Sequence, residues 1–254
     1  MSFLFLFFAF LAAVAAGVIN AIAGGGTLIT FPVLTAIGLS PVVANVTNTV
    51  ALCPGLLSGA FAQRKDFQAQ KQRLWKILPA GILGGIAGGL LLLNTTERSF
   101  NIAVPFLIFG ATILLGIQVP LRNWVISRIG KIHHTKNSFG LLALIFAAAI
   151  YGGYFGAGLG IILMAVLGLM LDDSLTSLNI LKQAISFCIN LSAAIYFSFS
   201  GKVDWLVAVI MAVGAITGGA IGGKLAGKIK PEVLRWIIVF TGTVVAFIFW
   251  SRLK

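Results

Sequence analysis

The chain has 254 residues, of which 59% are hydrophobic and 9% are charged, and its mean hydropathy is +1.05. A water-soluble domain of this length cannot bury so much apolar surface, so the composition indicates an all-α polytopic membrane protein with one membrane domain. The apolar runs do not alternate with polar residues, which excludes a membrane β-barrel.

Ten apolar segments follow one another along the chain. They lie at about 3–23, 27–38, 42–62, 75–93, 100–119, 139–155, 158–171, 178–199, 205–224 and 232–250. A spanning helix needs about 20 residues, so 27–38 and 158–171 are predicted to be short, broken or re-entrant segments beside about eight spanning helices. The first segment has no basic region before it and is interpreted as a retained helix, not a cleaved signal.

An internal repeat is visible in these segments. The glycine motif at 84–89 recurs at 218–223, and Asn45 matches Asn179 at the same separation. The spacing predicts two copies of one unit, 1–119 and 139–254, joined by a basic linker at 120–138. Such duplications are the usual architecture of secondary transporters.

The distribution of charge predicts how the two copies are oriented. The net charge of +12 would suggest nucleic-acid binding in a soluble protein, but here the Lys and Arg residues lie in short loops between apolar segments. Excess basic charge marks the cytoplasmic side, so the loop near Asp66, the central linker and the loop at 224–230 are predicted to be cytoplasmic. The loop at 201–204 then lies outside, and the two copies are inverted. Nucleic acid is not a predicted partner, whereas the lipid bilayer is.

Two glycine clusters precede the short segments. Unwound backbone is tolerated at membrane depth only where it is buried in protein or lines a cavity, and the half-helix that follows presents free N–H groups. Both clusters are therefore predicted to supply backbone donors to a substrate, although glycines can also serve only for close helix packing. The candidates are Gly24, Gly25, Gly26, Thr27, Gly156 and Gly158.

Polar side chains in the apolar segments complete the predicted site. Lys182 places a full positive charge in an apolar segment, and such a charge is costly unless function requires it. Snorkelling of Lys182 to the lipid headgroups is the alternative. The other predicted substrate-binding side chains are Asn20, Asn45, Asn48, Thr49, Asn179, Gln183 and Asn190.

Other motifs indicate no catalysis. The chain has no nucleotide-binding motif, nucleophile elbow or HExxH motif, and Cys53 and Cys188 lie singly in apolar segments. We therefore predict no enzyme activity, no cofactor and no metal. The paired glycine motifs are interpreted as helix-packing elements, and Asp66 and Asp204 as capping or interfacial residues.

Four stretches carry a resemblance to a known family. They are residues 17–26, 44–48, 151–158 and 201–205, which include GVINAIAGGG, ANVTN, YGGYFGAG and GKVDW. With these stretches the sequence resembles the sulfite exporter TauE/SafE family, also called the toluene sulfonate uptake permease family. The resemblance implies a multi-pass permease of the cell inner membrane that moves sulfite, sulfonates or related organosulfur anions, driven by an ion gradient. Many relatives have a Lys where Thr49 stands here.

The predicted function is a secondary transporter for a small sulfur-containing anion, working by alternating access around a site at the middle of the membrane. An anion channel and a non-transporting assembly or scaffold protein are the alternatives. Either a proton or a sodium ion can be the coupling ion on this interpretation. Both a monomer and a homodimer are compatible with the sequence.

Overall fold

The computed structural model describes residues 3–22, 24–61, 67–128, 138–171, 173–225 and 231–251. Over these residues the chain forms eleven α-helices and no strand, which confirms the predicted all-α membrane class. The helices are α1 Phe3–Ile22, α2 Thr27–Ala36, α3 Pro41–Phe61, α4 Phe67–Asn94, α5 Glu97–Gly116, α6 Gln118–Arg128, α7 Ser138–Tyr154, α8 Leu159–Met170, α9 Leu175–Ser198, α10 Trp205–Leu225 and α11 Pro231–Ser251.

The helix lengths support several membrane crossings. Within the described ranges, α1, α4, α5, α9 and α10 are long and apolar enough to span a bilayer. The helices α2 and α8 have 10 and 12 residues, which at about 1.5 Å per residue covers little more than half of a hydrocarbon core of about 30 Å. The protein is therefore a multi-pass membrane protein in which the apolar helices α2 and α8 are too short to cross the bilayer alone.

Two boundaries differ from the prediction. The helix α4 begins at Phe67, before the predicted start at 75, because its first turns carry the charged residues Lys71, Arg73 and Lys76 and so lack an apolar signal. An additional helix, α6, covers the first part of the linker predicted at 120–138. It is a helix in addition to the ten apolar segments, because α6 is too polar to be found by hydropathy.

Glycine motifs bring two pairs of helices into close contact. Gly218 and Gly222 of α10 lie against the backbone of Val14 and Val18 in α1, where a side chain would clash. In the same way Gly88 of α4 lies against the backbone of α7. Small residues at a spacing of four allow helices to approach this closely in lipid, as the sequence predicted for these motifs.

Further contacts link the first five helices to the last five. The Thr47 hydroxyl of α3 accepts a hydrogen bond of 3.0 Å from the Asp204 backbone N–H at the start of α10. Likewise, Gly85 of α4 in the first half packs against Ile189 of α9 in the second half. Each helix pairing therefore has a counterpart in the other half. The contact of α1 with α10 corresponds to that of α7 with α4, and the contact of α3 with α10 corresponds to that of α9 with α4. These reciprocal contacts support the predicted duplication of 1–119 and 139–254, which stays a prediction.

Polar side chains at or near helix ends form contacts between segments that are distant in the sequence. Arg73 near the start of α4 forms an ion pair with Asp173, just before α9. Elsewhere the Ser40 hydroxyl, before α3, donates a hydrogen bond of 2.9 Å to the Glu97 carboxylate of α5. Asp204 caps α10 by accepting from the Val207 N–H at 3.1 Å, as predicted; Asp66 lies outside the described residues.

We expect the substitution Gly88→Ala to destabilise the protein by about 1–3 kcal/mol, because the added methyl group would overpack the contact with α7. Thermal unfolding in detergent measures this effect. Gly110→Ala is the matched control: it lies in α5, where an added methyl group meets no atom within 4 Å, and helix propensity predicts neutral or slightly higher stability. Equal melting temperatures for the two variants would contradict the packing role.

Candidate functional site

Two breaks in the helices lie at the glycine clusters, between α1 and α2 and between α7 and α8. Gly24 and Gly25 have φ angles of +84° and +94°, and Gly156 and Gly158 have +74° and +75°. In this left-handed region a residue with a Cβ is strained by roughly 1–2 kcal/mol, whereas glycine is not. The glycines are therefore what allows each long helix to end and a short helix to begin within a few residues.

Side chains of the preceding helices hold both breaks in place. At the first, the Asn20 side-chain oxygen accepts a hydrogen bond of 2.8 Å from the Gly26 N–H. At the second, the Tyr151 hydroxyl donates to the Ala157 carbonyl at 2.6 Å. Asn45 of α3 adds a bond of 2.8 Å from its amide to the carbonyl of Tyr154, the last residue of α7. These bonds satisfy backbone groups that the breaks remove from the helices.

The two breaks also share one supporting helix, α5. A Cβ placed on Gly25 would lie 3.4 Å from a methyl carbon of Leu115, and one placed on Gly158 would lie 3.7 Å from the Ala111 Cα. Ala111 and Leu115 are one helical turn apart, so both breaks lie against the same stretch of α5. Helices that are distant in the sequence thereby end next to each other.

A cavity lies between the breaks and the helices α3 and α9. The empty space in and around it, open solvent at its mouth included, is about 590 Å³. Ten of the predicted site residues line it, and they come from both halves of the chain. These ten are Asn20, Gly24, Gly25, Thr27, Asn48, Thr49, Gly156, Lys182, Gln183 and Asn190.

Four predicted site residues do not line this cavity. Gly26 is turned into the packing of α1, and its N–H is taken by Asn20. Asn45 is buried and holds the end of α7, and Gly158 is the N-cap of α8. Asn179 is partly buried on α9, one turn before Lys182. None of these four residues is part of the lining.

Lys182 is the charged residue of the lining. Its aliphatic chain passes Gly160: a Cβ on that glycine would lie 3.7 Å from Lys182 Cδ and 3.9 Å from Cε. Within the described part of the chain, the ammonium group has no hydrogen-bond or ion-pair partner. Lys182 thus lies on the cavity wall.

Neutral polar groups surround this charge. The Asn48 amide donates to the Thr27 hydroxyl at 3.4 Å, and the Thr49 hydroxyl donates to the Asn45 carbonyl at 3.0 Å. The Asn48 side-chain oxygen and the Ser186 hydroxyl are buried and have no hydrogen-bond partner among the described residues. Buried polar atoms are nearly always paired, and a side-chain rotation toward the cavity would be needed for a solute or water to pair with these two groups.

The sequence analysis missed several residues of the lining. Ser186 could have been found, since it lies four residues after Lys182 and four before Asn190, on the same face of α9. The apolar residues had no signal, because nearly every segment of the chain is apolar. The missed residues are Leu52, Leu56, Phe155, Leu159, Gly160 and Ser186.

Comparison with known proteins agrees with the resemblance seen in the sequence. The profile of the family described as Sulfite exporter TauE/SafE matches residues 9–249. The chain belongs to the TauE/SafE family. Among the described residues, no group of three or more His, Cys, Asp or Glu side chains could hold a metal ion.

The relatives of this TauE/SafE protein are named as transporters. A "Probable membrane transporter protein" of Haemophilus influenzae is 30% identical over 201 residues, covering 79% of this chain and 77% of the relative. "Probable membrane transporter protein YfcA" of Escherichia coli K12 is 28% identical over 81% and 74% of the two chains. "Probable membrane transporter protein ORF9" of Sinorhizobium sp is 27% identical over 84% and 80%. No solved structure gives a significant match. The family and these names indicate a membrane transporter.

The substitution Gly24→Ala tests the first break. No atom would lie within 4 Å of the new methyl group, so the expected loss of about 1–2 kcal/mol comes from the positive φ angle alone. Gly116→Ala is the control, because that glycine has equally open surroundings and no positive φ. Thermal unfolding should show a lower melting temperature for Gly24→Ala only; a similar change in both variants would contradict the conformational role.

Proposed function

We propose that the protein is a secondary transporter for small sulfur-containing anions, such as sulfite or sulfonates, that works by alternating access around the cavity. The observation that carries the proposal is Lys182: a positive charge on the cavity wall with no acidic partner in the described chain.

The energetics of this charge favour a bound anion. A buried charge without a partner is strongly destabilising, and in membrane segments such residues mark substrate or ion pathways. The first residue of α2, Thr27, and the second residue of α8, Gly160, also line the cavity. The N–H groups of Leu28 and Leu159 at these helix starts already bond the carbonyls of Gly25 and Gly156, but the positive end of each helix dipole still favours negative charge. An anion in the cavity would therefore interact with the ammonium and with two helix starts.

The family description supports sulfur as part of the substrate. The matching profile is that of sulfite exporters, and the side chains of Gln183, Asn190 and Ser186 on the cavity wall are of the kinds that hydrogen-bond oxyanions.

Helix directions support alternating access by two inverted units. Thr47 and Gly55 of α3 meet Asp204 and Ala215 of α10 in the same order, so α3 and α10 run in the same direction. Contacts of Gly85 with Ile189 and of Gly89 with Phe197 show the same for α4 and α9.

The connection between α3 and α4 makes these two pairs run in opposite directions. Only residues 62–66 separate the two helices. Such a connection reaches about 20 Å, too little to return along an α3 of about 30 Å. The two halves are then inverted copies that enclose one site, the arrangement in which alternating access arises by rocking one unit against the other.

Lys182→Met is expected to reduce sulfite or sulfonate transport in proteoliposomes at least tenfold, because loss of a charge contact in a partly buried site costs roughly 1.4 kcal/mol or more. The matched control is Lys76→Met, which removes an exposed charge from α4 and should leave transport unchanged. Unchanged transport by Lys182→Met would remove Lys182 from the mechanism. Flux that does not saturate and shows no counterflow would indicate a channel instead.

The proposed topology places the protein in the inner membrane with the central linker in the cytoplasm. In a background without Cys53 and Cys188, we expect Lys202→Cys to react with a membrane-impermeant maleimide added to intact cells, because it lies between α9 and α10 on the proposed outer side. Trp124→Cys in α6, which is exposed, should react only after permeabilisation. The reverse pattern would contradict the orientation.

A further inference from the structure

The cavity extends toward one end of the helix bundle. This end, the open end, is where α3 ends and α4 begins, and the closed end is where α4 ends and α5 begins. On α3 the lining runs from Asn48 to Leu56, toward the open end, and on α9 it includes Lys182, in the half of that helix that begins there. Residues 41–47 of α3 and 191–198 of α9 lead to the closed end, and none of them lines the cavity.

Four phenylalanines, the aromatic cluster, lie between the cavity and the closed end. Phe155 lines the cavity, and its ring meets Phe31 edge-on, with centroids 5.5 Å apart, and Phe100 at 6.4 Å. Phe249 of α11 stacks on Phe31 at 5.9 Å. Phe31 lies one turn into α2, which leads toward the start of α3, and Phe100 lies in the first turn of α5. Phe31 and Phe100 are fully buried and Phe155 is 2% exposed, so water does not reach between these rings.

The aromatic cluster joins the two halves of the chain. Phe31 and Phe100 belong to the first five helices, whereas Phe155 and Phe249 belong to the second half. Each of the three ring contacts pairs one member of the first group with one of the second. Contacts between rings rest on dispersion and ring quadrupoles, so they separate without leaving a polar group unpaired. Rocking of one half against the other therefore breaks these contacts first at low cost.

From this arrangement we propose that Phe31, Phe100, Phe155 and Phe249 form the gate between the cavity and the closed end. The inference rests on the proposed function, because alternating access requires a gate on each side of the site. It names the residues of one gate and assigns this structure to the state that is open at the other end. On the proposed topology, the closed end faces the outside of the cell.

The test measures from which end a thiol in the cavity is reached. In the full-length protein without Cys53 and Cys188, Leu56→Cys places the thiol on the wall. The probe is sulfonatoethyl methanethiosulfonate, which does not cross membranes, applied to intact cells and to inside-out vesicles. Lys202→Cys, between α9 and α10, identifies the preparation that exposes the closed end. The minor state of a two-state protein is populated to about 10% or less, so we expect reaction about tenfold or more faster from the open end.

Variants of the cluster locate the gate. Phe155→Ala removes two ring contacts, so reaction of Leu56→Cys from the closed end should become roughly tenfold or more faster, with no change from the open end. Phe155→Leu should raise the same rate by a smaller factor, and it decides the test if the alanine variant does not fold. Phe197→Ala is the matched control: Phe197 is equally buried near the end of α9, but it packs against Gly89 of α4. It should change neither rate.

The outcomes separate the gate from the proposed function. If neither Phe155 variant speeds reaction from the closed end beyond the Phe197→Ala control, the aromatic gate is overturned, and alternating access through other contacts survives. Equal rates from both ends in the protein with an intact cluster, or a faster rate from the closed end, would also overturn the gate. If the expected pattern appears but proteoliposomes transport neither sulfite nor sulfonates, the proposed substrate class is overturned and the gate is supported.

Discussion

The positive charge of Lys182 is the constraint on which the rest of the site depends. An ammonium group inside a membrane protein is stable only beside a counter-charge, water or oriented dipoles, and no acidic residue of the described chain supplies the first. The surrounding structure offers oriented dipoles and space for water or an anion. Amide and hydroxyl side chains, the starts of two short helices and a cavity with an open mouth all meet at this point.

Glycine serves two different purposes in building that cavity. At Gly24, Gly25, Gly156 and Gly158 it permits positive φ angles, so that a helix can end deep inside the bundle. In the motifs of α4 and α10 it removes side-chain volume, so that α7 and α1 can approach the backbone closely. The second use supports the first, because the helices that carry the breaks, α1 and α7, are the ones held by these close contacts.

The two halves of the chain contribute different side chains to the helix breaks and to the cavity wall. The two breaks are held by different side chains, an amide at Asn20 and a hydroxyl at Tyr151. The two long helices beside the cavity also differ, since α9 contributes the charge of Lys182 and α3 contributes Asn48 followed by leucines. On the proposed duplication, the two halves thus give one cavity wall a charged part and an apolar part.

The sequence by itself determined the class of the protein and most of the polar lining. Hydropathy revealed the membrane helices because lipid requires long apolar runs, and Lys182 and the glycine clusters were recognisable because they violate that rule. The polar helix α6 and the charged start of α4 were missed because neither forms a long apolar run, which is the signal that hydropathy detects.

Only the tertiary structure decided which of the candidates face the cavity. Gly26 and Asn45 satisfy the same sequence criteria as Gly25 and Asn48, yet one supports the break through Asn20 and the other holds the end of α7. The apolar residues Leu52, Leu56 and Phe155 gave no signal at all. Composition determines whether a residue can be buried, whereas the helix rotation and the contacts between distant segments determine what it faces.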